Sequence, residues 1–279
     1  MLWEPHDPAD QLARRFGFKS GASVADWVGE ALRRHWALDV NGCHRVVISS
    51  WNALAFIEAD SKQLIAKWSA VPQRFTRLKD AATVVAWIES CGIPVAAAIP
   101  TTDGHLTVEL SNPARGAVRS RLPLPGSRFL LSVVPVIVGD LLDISDADHV
   151  TEAGRMLAAL HEALASYPNS VAGGRPKGRE QLVHNDFRSA NILHDGTKIT
   201  AILDFEEITY DTCVGDLARA AVLLGTRYHH WRPTGEVVRD AFVAAYDAHA
   251  QTPLTGAEHA ELAERVAANL EQKWWAQPV

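Results

Sequence analysis

Between His184 and Asp204 the sequence crowds two aspartates, an asparagine and a histidine into one short stretch. It reads His184-Asn185-Asp186-Phe187-Arg188-Ser189-Ala190-Asn191-Ile192-Leu193, and later Ala201-Ile202-Leu203-Asp204-Phe205-Glu206. The apolar run Ile199 to Leu203 predicts a strand that delivers Asp204 at its end, while a turn carries Asp186 and Asn191. A lone His-x-Asp in such a turn commonly does no more than cap its own backbone. The combined spacing, with an aspartate delivered by a strand, favours chemistry instead. An Asp carboxylate and an Asn carbonyl are hard oxygen ligands of the kind magnesium takes at roughly 2.0–2.1 Å.

The rest of the chain frames this stretch. Val24, Trp27, Val28, Leu32, Trp36 and Leu38 recur at helical spacing, so a helix precedes any sheet. Residues 53–58 and 63–68 read as two strands around a turn at 59–62, 80–91 as a helix ended by Gly92 and Pro94, and 106–110 and 129–138 as another strand pair. Past Asp140 helices dominate: an N-cap at Ser145-Asp146 opens a long apolar stripe from Val150 to Leu164, and further helices span 217–224, 237–250 and 257–275.

Phosphoryl transfer draws on a set such as Asp186, Asn191 and Asp204, because its transition state gains most from positioned magnesium and an oriented hydroxyl. The segment resembles the catalytic and metal-binding motifs of the aminoglycoside phosphotransferase and small-molecule kinase family, relatives of protein kinases. The resemblance implies an α+β, two-lobed protein-kinase-like fold, with a nucleotide-binding lobe over 1–134 and a mainly helical lobe over 135–279. It implies ATP and Mg2+ as cofactors, Asp186 as the catalytic base, His184 as a brace of the catalytic loop, and Asn191 and Asp204 as metal ligands.

The same resemblance asks for an ATP-contacting lysine on a strand of the first lobe, and Leu64-Ile65-Ala66-Lys67 supplies Lys67; an ordinary edge-strand lysine is the other reading. Ser49, Ser50 and Asn52 fall where the phosphate-covering loop belongs, without any of its glycines. Ser132 and Val134 fall at the strand and hinge that would hold adenine through main-chain groups. Asp80 is the nearest acid to pair with Lys67, or else a charge at a helix N-terminus.

Twelve positions separate Asp204 from Asp216, and a helix is already under way at Leu217. That leaves no room for the long activation segment on which protein kinases dock peptides, so the acceptor is a small molecule. Asp216 resembles the family's aspartate that ties the helix start to the catalytic loop, and reads equally as an N-cap. Glu206, Glu207 and Asp211, with the acids of the last helices, point to a cationic acceptor such as an aminoglycoside or basic cyclic-peptide antibiotic. A metabolic kinase for homoserine, choline or a similar amino alcohol is the alternative, and a catalytically silent nucleotide-binding regulator a third. Trp231, Trp274, Trp275 and Tyr246 could wall an acceptor cleft or pack in the core.

The net charge of −6 disfavours nucleic-acid and anionic-membrane partners. The longest apolar run, 129–138, is far short of the roughly 20 residues that span a bilayer. With no basic segment leading into an apolar one at the start, and Cys43, Cys91 and Cys213 scattered as small core residues, the expected setting is cytoplasmic, as a monomer or homodimer.

Overall fold

Asp60 and Ser61 turn the chain with φ of 48° and 62°, a two-residue turn whose twist suits a hairpin. It joins β2 (Asn52–Ala59) to β3 (Lys62–Ser69), each one residue longer at both ends than the sequence predicts. β1 (Val40–Ile48) pairs on one side of this hairpin; β5 (Arg128–Pro135) and then β4 (Val108–Ser111) follow on the other. The result is an antiparallel sheet in the order β1-β2-β3-β5-β4. In this computed structural model the described residues are 6–49, 51–112, 128–172, 174–227 and 231–272.

One face of the sheet carries Ala55, Ile57, Leu64, Ala66, Trp68, Phe129, Leu131 and Val133, all buried against Phe16, Phe18 and Trp27. Trp27 sits edge-on to Trp68 at 5.4 Å and to Phe129 at 5.2 Å, and Phe18 stacks on Phe129 at 5.8 Å, arrangements that aromatic quadrupoles favour. Helix α2 (Gly21–Trp36) supplies Trp27 and is opened by a capping box between Ser20 and Ser23. It starts three residues before the predicted helix and stops two short, because Ala37 turns left-handed at φ 52°. A short helix, α1 (Pro8–Gln11), precedes it with Asp7 as N-cap.

The chain divides into two units, Met1–Thr83 with Ala97–Val136, and Val84–Ala96 with Ile137–Val279. Helix α3 (Phe75–Ser90) runs from one into the other, and starts five residues before the predicted helix. Asp80 is therefore in its second turn rather than at its N-terminus. Residues 84–96, assigned by the sequence to the first lobe, go with the second because Trp87 donates Nε1–H to Ala163 O at 3.2 Å and Ile202 donates its N–H to Pro94 O at 2.8 Å.

In the second unit Asp146 caps α4 (Ala147–Ala165), accepting from the N–H groups of Asp148 and His149. α4 packs on α6 (Glu236–His249) through Gly154, where an added Cβ would lie 2.4 Å from Phe242 O. β6 (Asp140–Leu141), β8 (Ile192–His194) and β9 (Ile199–Ile202) form one small sheet, and β7 (Gln181–Val183) with β10 (Thr209–Asp211) another. α5 (Cys213–Leu223) and α7 (Gly256–Glu271) complete it, α7 opened by the Thr255–Glu258 capping box. The cysteines correct the expectation: Cys91 is exposed, and Cys43 and Cys213 are half-buried. Among the described residues no helix is long and apolar enough to cross a membrane.

Candidate active site

The loop between β7 and β8 turns at Asn185, whose φ of 66° lies in the left-handed region that Asn tolerates better than most residues. Two bonds hold that turn from below: Asp216 accepts from the Asn185 N–H through Oδ1 at 2.9 Å and from the His184 N–H through Oδ2 at 3.2 Å. Asp186 projects from the turn, its own N–H donating to His184 Nδ1 at 3.2 Å. His184 is fully buried; with Nδ1 accepting, its Nε2–H donates to Leu203 O at 3.0 Å, which fixes the tautomer. His184 thus spans from the β7–β8 loop to the strand end that carries Asp204, a bracing position.

The Asp186 carboxylate is gripped on both oxygens. Arg188 Nε donates to Oδ1 at 2.8 Å, and Asn191 Nδ2 donates to Oδ2 at 2.7 Å and to the Asp186 main-chain oxygen at 2.9 Å. Burial pushes its carboxyl pKa up, Arg188 pulls it down, and the charge of Asp204 pushes it up again, leaving it above the ordinary value.

The Leu203 N–H donates to Asn191 O at 2.8 Å, which sets the two expected metal ligands in adjacent places. Asp204 is exposed, at φ 61°, a conformation costing of order 1–3 kcal/mol for a residue other than glycine and usually kept where it serves a site. Because Asn191 commits its amide nitrogen to Asp186, its side-chain oxygen is the atom left for a cation. The pair is an all-oxygen donor set that fits Mg2+ rather than a softer ion. Among the described residues there is no cluster of three or more His, Cys, Asp or Glu arranged for a metal, so phosphate oxygens and water would complete such a shell.

Asp216 is not the helix cap. Thr212 caps α5, accepting from the Gly215 N–H, and Asp216 stands in its first turn with its carboxylate turned to the loop. Below it, His161 of α4 lies 3.0 Å from Asp216 Oδ2 through Nε2 and 2.8 Å from Tyr246 Oη through Nδ1. Burial opposes a charge on His161, but Tyr246 and Asp216 outweigh it and hold its pKa well above the ordinary value. Burial would raise Asp216, yet His161, His184 and the Asn185 N–H bring it below the ordinary value. The two directions agree on a buried ion pair. Tyr246, 4% exposed, belongs to this core and walls no cleft.

In the first unit Lys67 is half-buried on β3, between Leu54 and Ser132 and on the face opposite the aromatic core. The main-chain groups of Ser132 and Val134 are in an unexpected place. Ile99 N–H bonds Val133 O at 2.8 Å on one side of β5, and Val136 N–H bonds Gln63 O at 3.0 Å on the other. By strand alternation, Ser132 and Val134 point into the ladder with β3, and the outward groups belong to Val133 and Pro135. Ser49 and Asn52 close a turn of their own, Ser49 N–H to Asn52 O at 2.9 Å and Asn52 N–H to Ser49 Oγ at 3.4 Å, so neither amide is left for a phosphate. Ser50, Trp274 and Trp275 lie outside the described residues.

Glu206 and Glu207 form the single turn after Asp204; Glu206 is buried and Glu207 half-buried. Asp211 accepts from the Thr212 N–H at 2.7 Å and lies 3.7 Å from Arg265. On α7, Glu258 and Glu261 bind Arg179 at 3.0 and 2.7 Å, and Glu261 binds Arg265 at 2.9 Å. Sequence reasoning missed two participants. Arg188 stood inside the quoted motif without a role, and a buried arginine two residues from Asp186 was the available signal. His161 carried none, since it meets Asp216 across 55 positions.

Residues 140–264 match the sequence model of the phosphotransferase enzyme family, and the catalytic loop and Asp204 lie inside that match. The match spans less than half of the chain, and it supports an ATP-dependent small-molecule phosphotransferase that acts on hydroxyl groups. The structure is similar to that of a microcompartment-associated aminopropanol kinase, at 15% identity over 90% of this chain and 88% of that one, with a TM-score of 0.66. It is also similar to spectinomycin phosphotransferase in complex with ADP and spectinomycin (12%, 88% and 85%, 0.60). A third similar structure is macrolide 2′-phosphotransferase from Brachybacterium faecium (16%, 89% and 94%, 0.57). At these identities the likeness is one of fold. No curated protein matches the chain in sequence.

Proposed function

We propose that the protein moves the γ-phosphoryl group of Mg-ATP to a hydroxyl of a cationic small molecule. In this reading Asp186 orients the acceptor hydroxyl and takes its proton as the new P–O bond forms and the bond to the ADP leaving oxygen breaks. Asn191 and Asp204 hold Mg2+, and Lys67 meets the α- and β-phosphates from a sheet face whose Leu54, Ile65 and Val134 suit a purine. The observation that carries the reading is the Asp186 carboxylate, held on both oxygens beside the oxygen donors of Asn191 and Asp204.

A basic antibiotic, an aminoglycoside or a cyclic peptide, is the leading acceptor, which would make the protein a resistance factor. A second reading, a small amino alcohol, gains from the pairing of Asp211, Glu258 and Glu261 with Arg179 and Arg265. Those acids are already matched, which favours an acceptor with few charges. The test is ADP release measured against a panel of both acceptor kinds, with Asp186→Ala as control. The variant is expected to lose roughly 10²–10⁴-fold in turnover while still binding ATP. Activity confined to amino alcohols would sink the antibiotic reading, and unchanged turnover in the variant would remove Asp186 as the base.

A further inference from the structure

Arg188 is 3% exposed, yet only one of its nitrogens has a hydrogen-bonding partner among the described residues: Nε, on Asp186. Its Nη1 is buried with no acceptor. A buried charged donor left unsatisfied is costly, and such a group in a folded protein calls for an explanation. The guanidinium is nevertheless held in place. Trp231, from the segment between α5 and α6, lies under it with Cζ 4.9 Å from the ring centroid, a contact that fixes the plane of the guanidinium without occupying its N–H groups.

We infer that Arg188 is an oxyanion receptor at the point of transfer, with Nε fixing Asp186, Trp231 fixing the guanidinium plane, and Nη1 kept for an oxygen of the bound ligand. The inference rests on the proposed reaction, since it places that oxygen beside the hydroxyl Asp186 orients. Arginine suits the task because its fork can serve a carboxylate and a phosphoryl oxygen at once, which the point charge of lysine cannot do with the same geometry. Two sources can supply the oxygen: the γ-phosphoryl group of the nucleotide, or a carboxylate or phosphate borne by the acceptor.

The test is calorimetric and needs no acceptor. Dissociation constants are measured for the wild type, Arg188→Gln, Arg188→Lys and Trp231→Leu, with magnesium and either a non-hydrolysable ATP analogue or ADP, and with inorganic phosphate alone. Thermal melts establish that each variant is folded. If the nucleotide is the source, the wild type prefers the ATP analogue to ADP, Arg188→Gln reduces that preference by roughly 10-fold or more, and Arg188→Lys and Trp231→Leu reduce it less. If the acceptor is the source, the preference stays while inorganic phosphate binds the wild type and not Arg188→Gln. Folded Arg188→Gln protein that matches the wild type in both measurements overturns the inference. A wild type that binds no nucleotide sinks the proposed function, while the phosphate measurement still decides on Arg188.

Discussion

Asn191 grips Asp186 twice through one amide nitrogen, 2.7 Å from carboxylate Oδ2 and 2.9 Å from the main-chain oxygen. The residue expected to hold metal thereby also sets the rotamer of the residue expected to take the proton. Asn191→Leu keeps the volume and removes both bonds, leaving Arg188 to pull the carboxylate to its own side. Turnover is expected to fall by roughly 10²-fold, the scale of a displacement near 1 Å, with a higher magnesium requirement. Steady-state kinetics across a magnesium series check this; a fall in turnover at unchanged magnesium dependence would leave Asn191 a positioning group only.

Asp204 contributes a charge that is felt at Asp186. Asp204→Asn removes that charge and one hard ligand together. The magnesium concentration for half-maximal turnover is expected to rise about 10-fold or more, because a neutral amide replaces a carboxylate in the shell. An unaltered magnesium curve takes Asp204 out of the metal site.

The His161–Asp216 pair predicts a window of pH. His161 has a folded pKa above its ordinary value of about 6.5, so its contribution to stability is complete below that pH and is lost as pH rises through the folded value. Asp216 has a folded pKa below its ordinary value of about 3.9, so its contribution is present above that pH and is lost as pH falls through the folded value. Both are complete between about pH 4 and 6.5. His161→Gln is expected to cost most stability in that window, approaching the roughly 3–5 kcal/mol lost when one partner of a buried pair is removed, and less at alkaline pH. Urea unfolding of both proteins across pH 5 to 9 is the measurement, and a cost that does not change with pH would show that His161 is uncharged.

Gly154 lets α4 and α6 touch. An alanine there would put its Cβ 2.4 Å from Phe242 O, 2.8 Å from Ala245 Cβ and 2.9 Å from Tyr246 N, and backbone cannot step aside as a side chain does. Gly154→Ala is expected to cost about 1–3 kcal/mol of stability, the range for overpacking. A urea midpoint at the wild-type value would mean that the helices separate freely.

The clustering of His184, Asp186 and Asn191 was legible because these residues are close in sequence and each type has a narrow range of chemistry. Segments that alternate or repeat cleanly were legible too: the β2–β3 hairpin, α2, α4 and α7 all lie within a few residues of expectation. β1 was not, because Asn41, Gly42, His44 and Arg45 break its alternation and its pairing slips at two places. Helix starts were misjudged: α3 opens five residues early, which moves Asp80 into its second turn, and Thr212 rather than Asp216 caps α5, which leaves Asp216 in the first turn. The outward main-chain groups of β5 fall one position from Ser132 and Val134, since a continuous apolar run such as Phe129 to Val138 does not say which way each carbonyl points. What no pattern along the chain could show is a pairing made by tertiary packing, and both the His161–Asp216 pair and the Arg188–Trp231 contact are of that kind.

The passage from Asp204 to α5 is short and fully committed. Phe205–Glu207 coils into one turn, Thr209, Tyr210 and Asp211 then pair with Val183, Leu182 and Gln181, and Thr212 caps the helix at once. In protein kinases the corresponding stretch is a loose arm that a phosphate can order, and so a place where a cell exerts control. Here the stretch is a rivet, ordered by the chain's own pairings with no added phosphate to arrange it.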